Sequence, residues 1–215
     1  MARIVAVSNL KGGVGKTSLA VNVACALAAR HRVQLVDADA QASAVDWLTA
    51  PVNNVIVLPL PLEAETDRGV ARWTAQVREL DADIVVIDCP PHLSAVTGAA
   101  LGLADLVLLP CGPSVADVRA TARTVELIRA ARKVRRGKPD ALVIPNRIDR
   151  RSTTGKGIAV ALGALDERVG PALVARQAQA DATGSGTWIG AYAHGSPAAA
   201  EIAAVAAAVE HALRR

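Results

Sequence analysis

Ile4-Val-Ala-Val-Ser8-Asn-Leu-Lys11-Gly-Gly-Val-Gly15-Lys16-Thr17-Ser18-Leu-Ala-Val21 is the stretch on which the fold turns. An apolar β-branched run leads into a glycine-rich turn, and an apolar-periodic segment opens at Ser18, so the order reads strand, loop, helix. The loop ends in the Gly15-Lys16-Thr17 of the phosphate-binding pattern G-x-x-x-x-G-K-[ST]. Counting back five places puts Leu10 where that pattern has its first glycine, and an additional lysine, Lys11, stands beside it. Gly12, Gly13 and Gly15, with Val14 between them, let the backbone turn tightly with its N–H groups inward as an anion nest. The helix that follows, through Thr17 and Ser18, points its positive dipole end at the same phosphates. Lys16 is expected to hold the β- and γ-phosphates, and the Thr17 hydroxyl to ligate Mg²⁺.

Outward from this loop, short β-branched runs alternate with longer helical patterns. Ile4–Ser8, Val33–Asp37, Val55–Leu58, Ile84–Asp88, Leu106–Leu109, Leu142–Pro145 and Leu173–Ala175 read as strands. Thr17–Ala29, Asp67–Leu80, Ser114–Ala131, Lys156–Glu167 and Pro197–Leu213 read as helices. Most of the strands are continuously apolar, the mark of strands covered on both faces, so the expected class is α/β: a doubly wound, mostly parallel sheet flanked by helices. The 45 alanines fit this class, since alanine favours helices and lets them lie close on a sheet. Neither a repeat nor a long linker divides the chain, and one domain over residues 1–215 is expected.

Composition removes several alternatives. Cys25, Cys89 and Cys111 are odd in number and far apart, which fits small buried hydrophobes in a reducing cytosol rather than disulfides or a CxxC metal site. The N-terminus is too short before its first apolar run for a signal peptide, and no 18-residue apolar run follows, so a cytoplasmic protein is expected. Trp47, Trp73, Trp188 and Tyr192 are the whole aromatic complement, leaving backbone electrostatics as the means of any nucleic-acid binding. Trp188 and Tyr192, four apart, read as a core pair, and the four scattered histidines as surface or helix-end residues.

Ligands of open α/β sheets bind beyond the C-terminal ends of the strands, so carboxylates are expected there. Leu35-Val-Asp37-Ala-Asp39-Ala-Gln41 and Ile84-Val-Val-Ile-Asp88-Cys-Pro-Pro91 supply them. Asp88 reads as the outer carboxylate of the Mg²⁺ site, with Pro90 and Pro91 stiffening a loop that senses the γ-phosphate. Of Asp37 and Asp39, one would tie the water shell of the metal and the other orient the attacking water.

Lys11-Gly-Gly-Val-Gly-Lys-Thr17, Asp37-Ala-Asp39-Ala-Gln41 and Asp88-Cys-Pro-Pro91 together resemble the signature motifs of the deviant phosphate-loop ATPases, the ParA partitioning proteins and their MinD relatives. The resemblance runs from Ile4 to the last helix. It implies that Lys11 reaches across a dimer interface to the partner's nucleotide, that Asp39 orients water, and that Asp37 serves the switch. Ala40 departs from the proline usual in the family and is expected to loosen the first switch without abolishing hydrolysis. Ile144-Pro-Asn146-Arg147 resembles the base pocket, which implies that Asn146 and Arg147 meet adenine. The guanine-reading motif Asn/Thr-Lys-x-Asp is absent, favouring ATP.

Between Arg119 and Lys156 stand twelve basic and three acidic residues, a surplus of nine in a chain whose net charge is +4, so the remainder is −5. Arg129, Arg132, Lys133 and Arg136 recur at helical spacing as one face suited to duplex phosphates of any sequence. Arg151 stands where chromosomal ParA proteins carry a DNA-contacting arginine, and Lys156 extends the set. The resemblance implies an ATP-state homodimer on nonspecific duplex DNA, nucleoid-associated, with a ParB-like or small centromere-binding adaptor stimulating hydrolysis to segregate plasmid or chromosome. Positioning of a protein cargo such as a chemoreceptor cluster or carboxysome, MinD-like septum-site regulation, and a metabolic enzyme such as dethiobiotin synthetase are the alternatives. The tail helix lacks a lipid-binding face, so membrane anchoring is not expected. Nor does the chain carry the added N-terminal length of a helix-turn-helix domain.

Overall fold

A computed structural model of the chain describes residues 2–48, 52, 54–149 and 151–214. In order, the elements are β1 (Arg3–Val7), α1 (Lys16–Leu27), β2 (Val33–Asp37), α2 (Ser43–Trp47), β3 (Ile56–Pro59), α3 (Asp67–Arg78), β4 (Ile84–Asp88) and α4 (Ala95–Leu103). There follow β5 (Leu106–Cys111), α5 (Val115–Val134), β6 (Asp140–Pro145), α6 (Thr153–Gly163), β7 (Arg168–Val169), α7 (Gln177–Gly184), α8 (Ile189–Tyr192) and α9 (Pro197–Leu213). The strands form one sheet in the order β3-β2-β4-β1-β5-β6-β7, every neighbouring pair parallel. Helices cover both faces, as the apolar runs of β4 and β5, buried throughout, require.

Alternation along the strands divides the core in two. Val5, Val7, Leu35, Val86, Leu108 and Ile144 face α1, α8 and α9, while Ala6, Val36, Ile87, Val107 and Val143 face Trp73 of α3, Leu101 of α4, Ile128 of α5 and Leu162 of α6. Ile202, Val205 and Val209 of α9 are buried in the first of these layers, so the apolar side of the tail helix is used internally. None of the described helices is long and apolar enough to cross a membrane. None of the three cysteines forms a disulfide, and all three are buried.

The structure departs from the sequence expectations at particular places. Leu173–Ala175 is not a strand: Val174 makes an isolated parallel bridge to Ile148, while Arg168–Val169, too short and too charged to show a period, supplies the edge strand β7. Helices α2, α4, α7 and α8 were not expected. For α4 the signal was present, since Ser94 accepts from Thr97 N as an N-cap. A similar cap, Ser152 accepting from Gly155 N, starts α6 three residues before Lys156. Helix α5 runs to Val134 rather than Ala131. Trp188 packs against the core, but Tyr192 is 45% exposed and is not its core partner.

The basic face expected on α5 is partly consumed in packing. Arg132 forms a fork with Glu167 at 2.7 and 2.9 Å and donates through Nε to the Pro139 carbonyl at 2.8 Å, clamping α5 to the strand end at β7. Arg129 donates to the Leu165 carbonyl at 2.8 Å. Arg132 and Arg129 are therefore tied down, whereas Lys133 and Arg136 are exposed, Arg136 past the helix end with φ +53°. Arg151 is exposed in the turn before α6, and Lys156 lies within α6. The Glu167 side chain is only 6% exposed, so losing its partner strands a buried carboxylate. Arg132→Ala is expected to lose about 2–3 kcal/mol in urea unfolding, whereas Lys133→Ala stays within about 0.5 kcal/mol of the parent. Equal stability of the two variants would remove the clamp.

Candidate functional site

The loop between β1 and α1 holds Gly13 at φ +75° and Gly15 at φ +92°, both in the left-handed region where a side chain would be strained. A Cβ on Gly15 would also strike the Asn146 amide. Gly15 occupies the N-cap of α1 and supplies no side-chain cap, so the first-turn N–H groups remain for a ligand. Buried Lys16 lies at the same end and donates to the Lys11 carbonyl at 3.1 Å. Burial lowers its pKa, against the pull of Asp88, Cys89 and Asp39.

Register explains how the carboxylates meet. Asp88 is the parallel partner of both Val7 on β1 and Asp37 on β2, so both acids stand level with the start of the loop. Asp88 is 1% exposed, and neither carboxylate oxygen has a hydrogen-bond partner. Burial pushes its pKa to about 7; the Thr17 hydroxyl and Lys16 beside it pull down, and Asp37 and Asp39 push further up. A buried, unpartnered carboxylate next to a threonine hydroxyl and facing an anion nest is a donor set that fits a hard divalent cation bound together with phosphate. Asp37 departs from the metal-ligand expectation. Its oxygens accept from Asp39 N at 3.2 Å, Ala44 N at 2.7 Å and Val45 N at 3.2 Å, so the carboxylate shapes the turn into α2. Burial still raises its pKa. Asp39 is half-buried, faces the cavity, and accepts from Gln41 N at 3.1 Å.

A cavity of about 880 Å³ opens over this end of the sheet, lined by Gly12, Gly13, Gly15, Lys16, Thr17, Ser18 and Asp39 on one side and by Asn146, Arg147, Arg176 and Gln179 on another. Its size suits a nucleotide-sized ligand. Asn146 and Arg147 both line it, but in this structure they brace the loop. The Asn146 amide donates to the Val14 carbonyl at 2.8 Å and accepts from Arg147 N at 2.9 Å. Arg147, with φ +56°, donates to the Gly13 carbonyl at 2.7 Å. Gln179 was not anticipated from sequence; its buried Oε1 has no partner and needs a donor. Lys11 does not line the cavity. Its Nζ pairs with Asp117 Oδ1 on α5 at 2.5 Å. Asn9 was also missed: its amide donates to the Pro110 carbonyl at 3.0 Å and to Thr121 Oγ1 at 2.9 Å, and it accepts from Lys11 N at 3.0 Å. No sequence period marks Asn9, because its partners Pro110 and Thr121 lie about a hundred positions away. Among the described residues no group of three or more His, Cys, Asp or Glu side chains could hold a metal.

The chain matches the model of the CobQ/CobB/MinD/ParA nucleotide binding domain over residues 5–168. It is 36% identical over 177 residues, 80% of this chain and 79% of the relative, to the "Maintenance of carboxysome distribution protein A" of Halothiobacillus neapolitanus. It is 32% identical over 147 residues, 51% of this chain and 52% of the relative, to the "Chromosome partitioning protein ParA" of Myxococcus xanthus. In fold it superposes on apo McdA of Cyanothece with a TM-score of 0.83 at 21% identity, over 99% of this chain and 100% of the other. The septum site-determining protein MinD of Pyrococcus horikoshii, complexed with Mg-ADP, gives 0.83 at 21% identity, over 98% and 96%.

The buried Asp88 has a testable pH consequence. Its folded pKa lies above the unfolded 3.8, so the folded chain binds the proton more tightly. Stability of the ligand-free protein from this group is full below pH 3.8 and falls as pH rises toward about 7. Asp88→Asn removes that loss, and its thermal melt is expected to exceed that of the parent at pH 8 by the equivalent of about 1–3 kcal/mol, the gap narrowing toward pH 5. A gap independent of pH would show that the Asp88 proton is not its source.

Proposed function

The chain belongs to the CobQ/CobB/MinD/ParA family of nucleotide-binding domains, and from that premise we propose that it is a Mg²⁺-dependent ATPase acting as a dimerisation switch. The observation that carries the reading is the division of labour between the two loop lysines: Lys16 lines its own cavity, whereas Lys11 lies outside it. A second cation beside the nest but not in it is what a nucleotide shared between two protomers requires. In this reading Lys11 of each protomer supplies charge to the phosphates held by its partner.

The residues divide the chemistry as follows. The loop N–H groups and Lys16 hold the phosphate oxygens and neutralise charge as the bond from the γ-phosphorus to the β–γ bridging oxygen breaks. Thr17 and Asp88 would hold Mg²⁺, which when bound would withdraw charge from the phosphates. Asp39, facing the cavity with its second oxygen uncommitted to the Gln41 turn, orients the water that attacks the γ-phosphorus. Asp37 keeps the turn into α2 in shape. Asn146 and Arg147 pass from bracing the loop to meeting the base, where Gln179 Oε1 waits for a donor such as the adenine amino group.

For cargo, the longer alignment at higher identity favours a protein assembly, since that relative is a carboxysome distribution protein. Segregation of plasmid or chromosome is the second reading, supported by the shorter alignment to a chromosome partitioning protein. In either reading an adaptor would stimulate hydrolysis and the ATP dimer would rest on nonspecific duplex DNA at the nucleoid. Lys133, Arg136 and Arg151 are the exposed candidates for phosphate contact, and Arg129 and Arg132 contribute less because packing holds them.

Size-exclusion chromatography tests the switch. The parent is expected to be monomeric without nucleotide and dimeric with ATP, Lys11→Ala to stay monomeric, and Asp39→Ala to remain dimeric in ATP because it does not turn over. A parent with no ATP-dependent dimer ends the proposal. Binding of the ATP state to random duplex should fall steeply with salt, with Arg151→Ala flattening the log–log slope by about 1; an unchanged slope excludes that arginine.

A further inference from the structure

The side chain that would act across the dimer is held within the monomer. Lys11 Nζ sits 2.5 Å from Asp117 Oδ1, in a pair whose side chains are 38% and 12% exposed. Asp117 is the N3 residue of α5, and its other oxygen, Oδ2, completes the capping box, accepting from Ser114 N at 3.1 Å and Ser114 Oγ at 2.5 Å. The two oxygens thus have separate duties. Burial alone would raise the pKa of Asp117, but the Lys11 ammonium and the Ser114 donors outweigh it and hold the carboxyl below its ordinary value. Gly112 makes the packing possible, since a Cβ there would come within 2.5 Å of Oδ2.

We propose that Asp117 is a latch on Lys11: the ion pair parks the lysine in cis, and an ATP-bridged dimer forms only as both latches open. This rests on the reading that Lys11 serves the partner's nucleotide. The division of the carboxylate limits what opening disrupts. When Lys11 leaves, Oδ2 keeps both Ser114 bonds, and only Oδ1, on a side chain 12% exposed, gives up its partner. The latch is also tied to α5 beyond its first turn. Leu10 N donates to Thr124 Oγ1 at 3.2 Å, and Thr121 Oγ1 accepts from Asn9 and donates to the Asp117 carbonyl at 2.9 Å. Residues 9–11 are therefore laced to the N-terminal half of the helix whose far end carries Lys133. Asp117 acts through Lys11 and is a positioning residue.

Asp117→Asn tests this, since an amide preserves the acceptor for the cap and removes the charge that holds Lys11. A partly exposed ion pair shifts an equilibrium by up to about fivefold, and a dimer opens two, so in ATP the protein concentration for half-dimerisation should fall by roughly 3- to 25-fold. Without nucleotide the variant should stay monomeric, and acylation of the Lys11 amine by an amine-directed reagent, located by mass spectrometry, should accelerate severalfold. Ser114→Ala is the stability control: it weakens the cap but leaves the ion pair, so its melt should fall while its dimerisation does not tighten. If the parent dimerises in ATP and Asp117→Asn does so no more tightly, or less tightly, the latch is overturned while the bridging role of Lys11 stands. If parent and variant both remain monomeric in ATP, the bridging reading fails instead.

Discussion

The constraint on which the rest of this molecule depends is that the β1–α1 loop keeps its N–H groups for a ligand. Gly13 and Gly15 adopt positive φ, α1 starts without a side-chain cap, and Lys16 and Asp88 are buried at the same spot. Without an anion and a cation in place, Asp88 has a strongly raised pKa and no hydrogen-bond partner. That is a local cost of the ligand-free fold, and it is the counterpart of selectivity: the chain has placed uncompensated groups where phosphate and Mg²⁺ would compensate them.

Around that loop the scaffold is stiff. Asn146 and Arg147 at the end of β6 brace its Val14 and Gly13 carbonyls, while Asn9 ties its first half to β5 and α5. The loop is thus gripped from the ends of β5 and β6, and Lys11 is held against Asp117 of α5.

The α/β class was legible because β1 from Ile4 on, β4 as far as Ile87 and all of β5 are buried on both faces and therefore apolar. The loop was legible because its chemistry admits few residue types. Boundaries set by caps, such as Ser152 before α6, were readable in principle, while β7, two residues long, had no period to read. The late apolar run Leu173–Ala175 looked like a strand because a single bridge beside Ile148 buries Leu173 as a strand would.

What the sequence by itself determined is the inventory: a phosphate nest with two lysines, three acids at strand ends, and a basic segment. Only the tertiary structure decided how each is used, because the deciding partners are remote in the chain. Asp37 and Asp88, equal in sequence context, part company when α2 presents Ala44 and Val45 amides to the first and nothing to the second. Arg132 becomes a clamp because Glu167, thirty-five positions on, is buried beside it, and Lys11 becomes a restrained cation because α5 sets Asp117 against it. Spacing identifies groups that can carry charge; burial and hydrogen bonding across the fold determine which of those charges are already satisfied and which remain for a ligand.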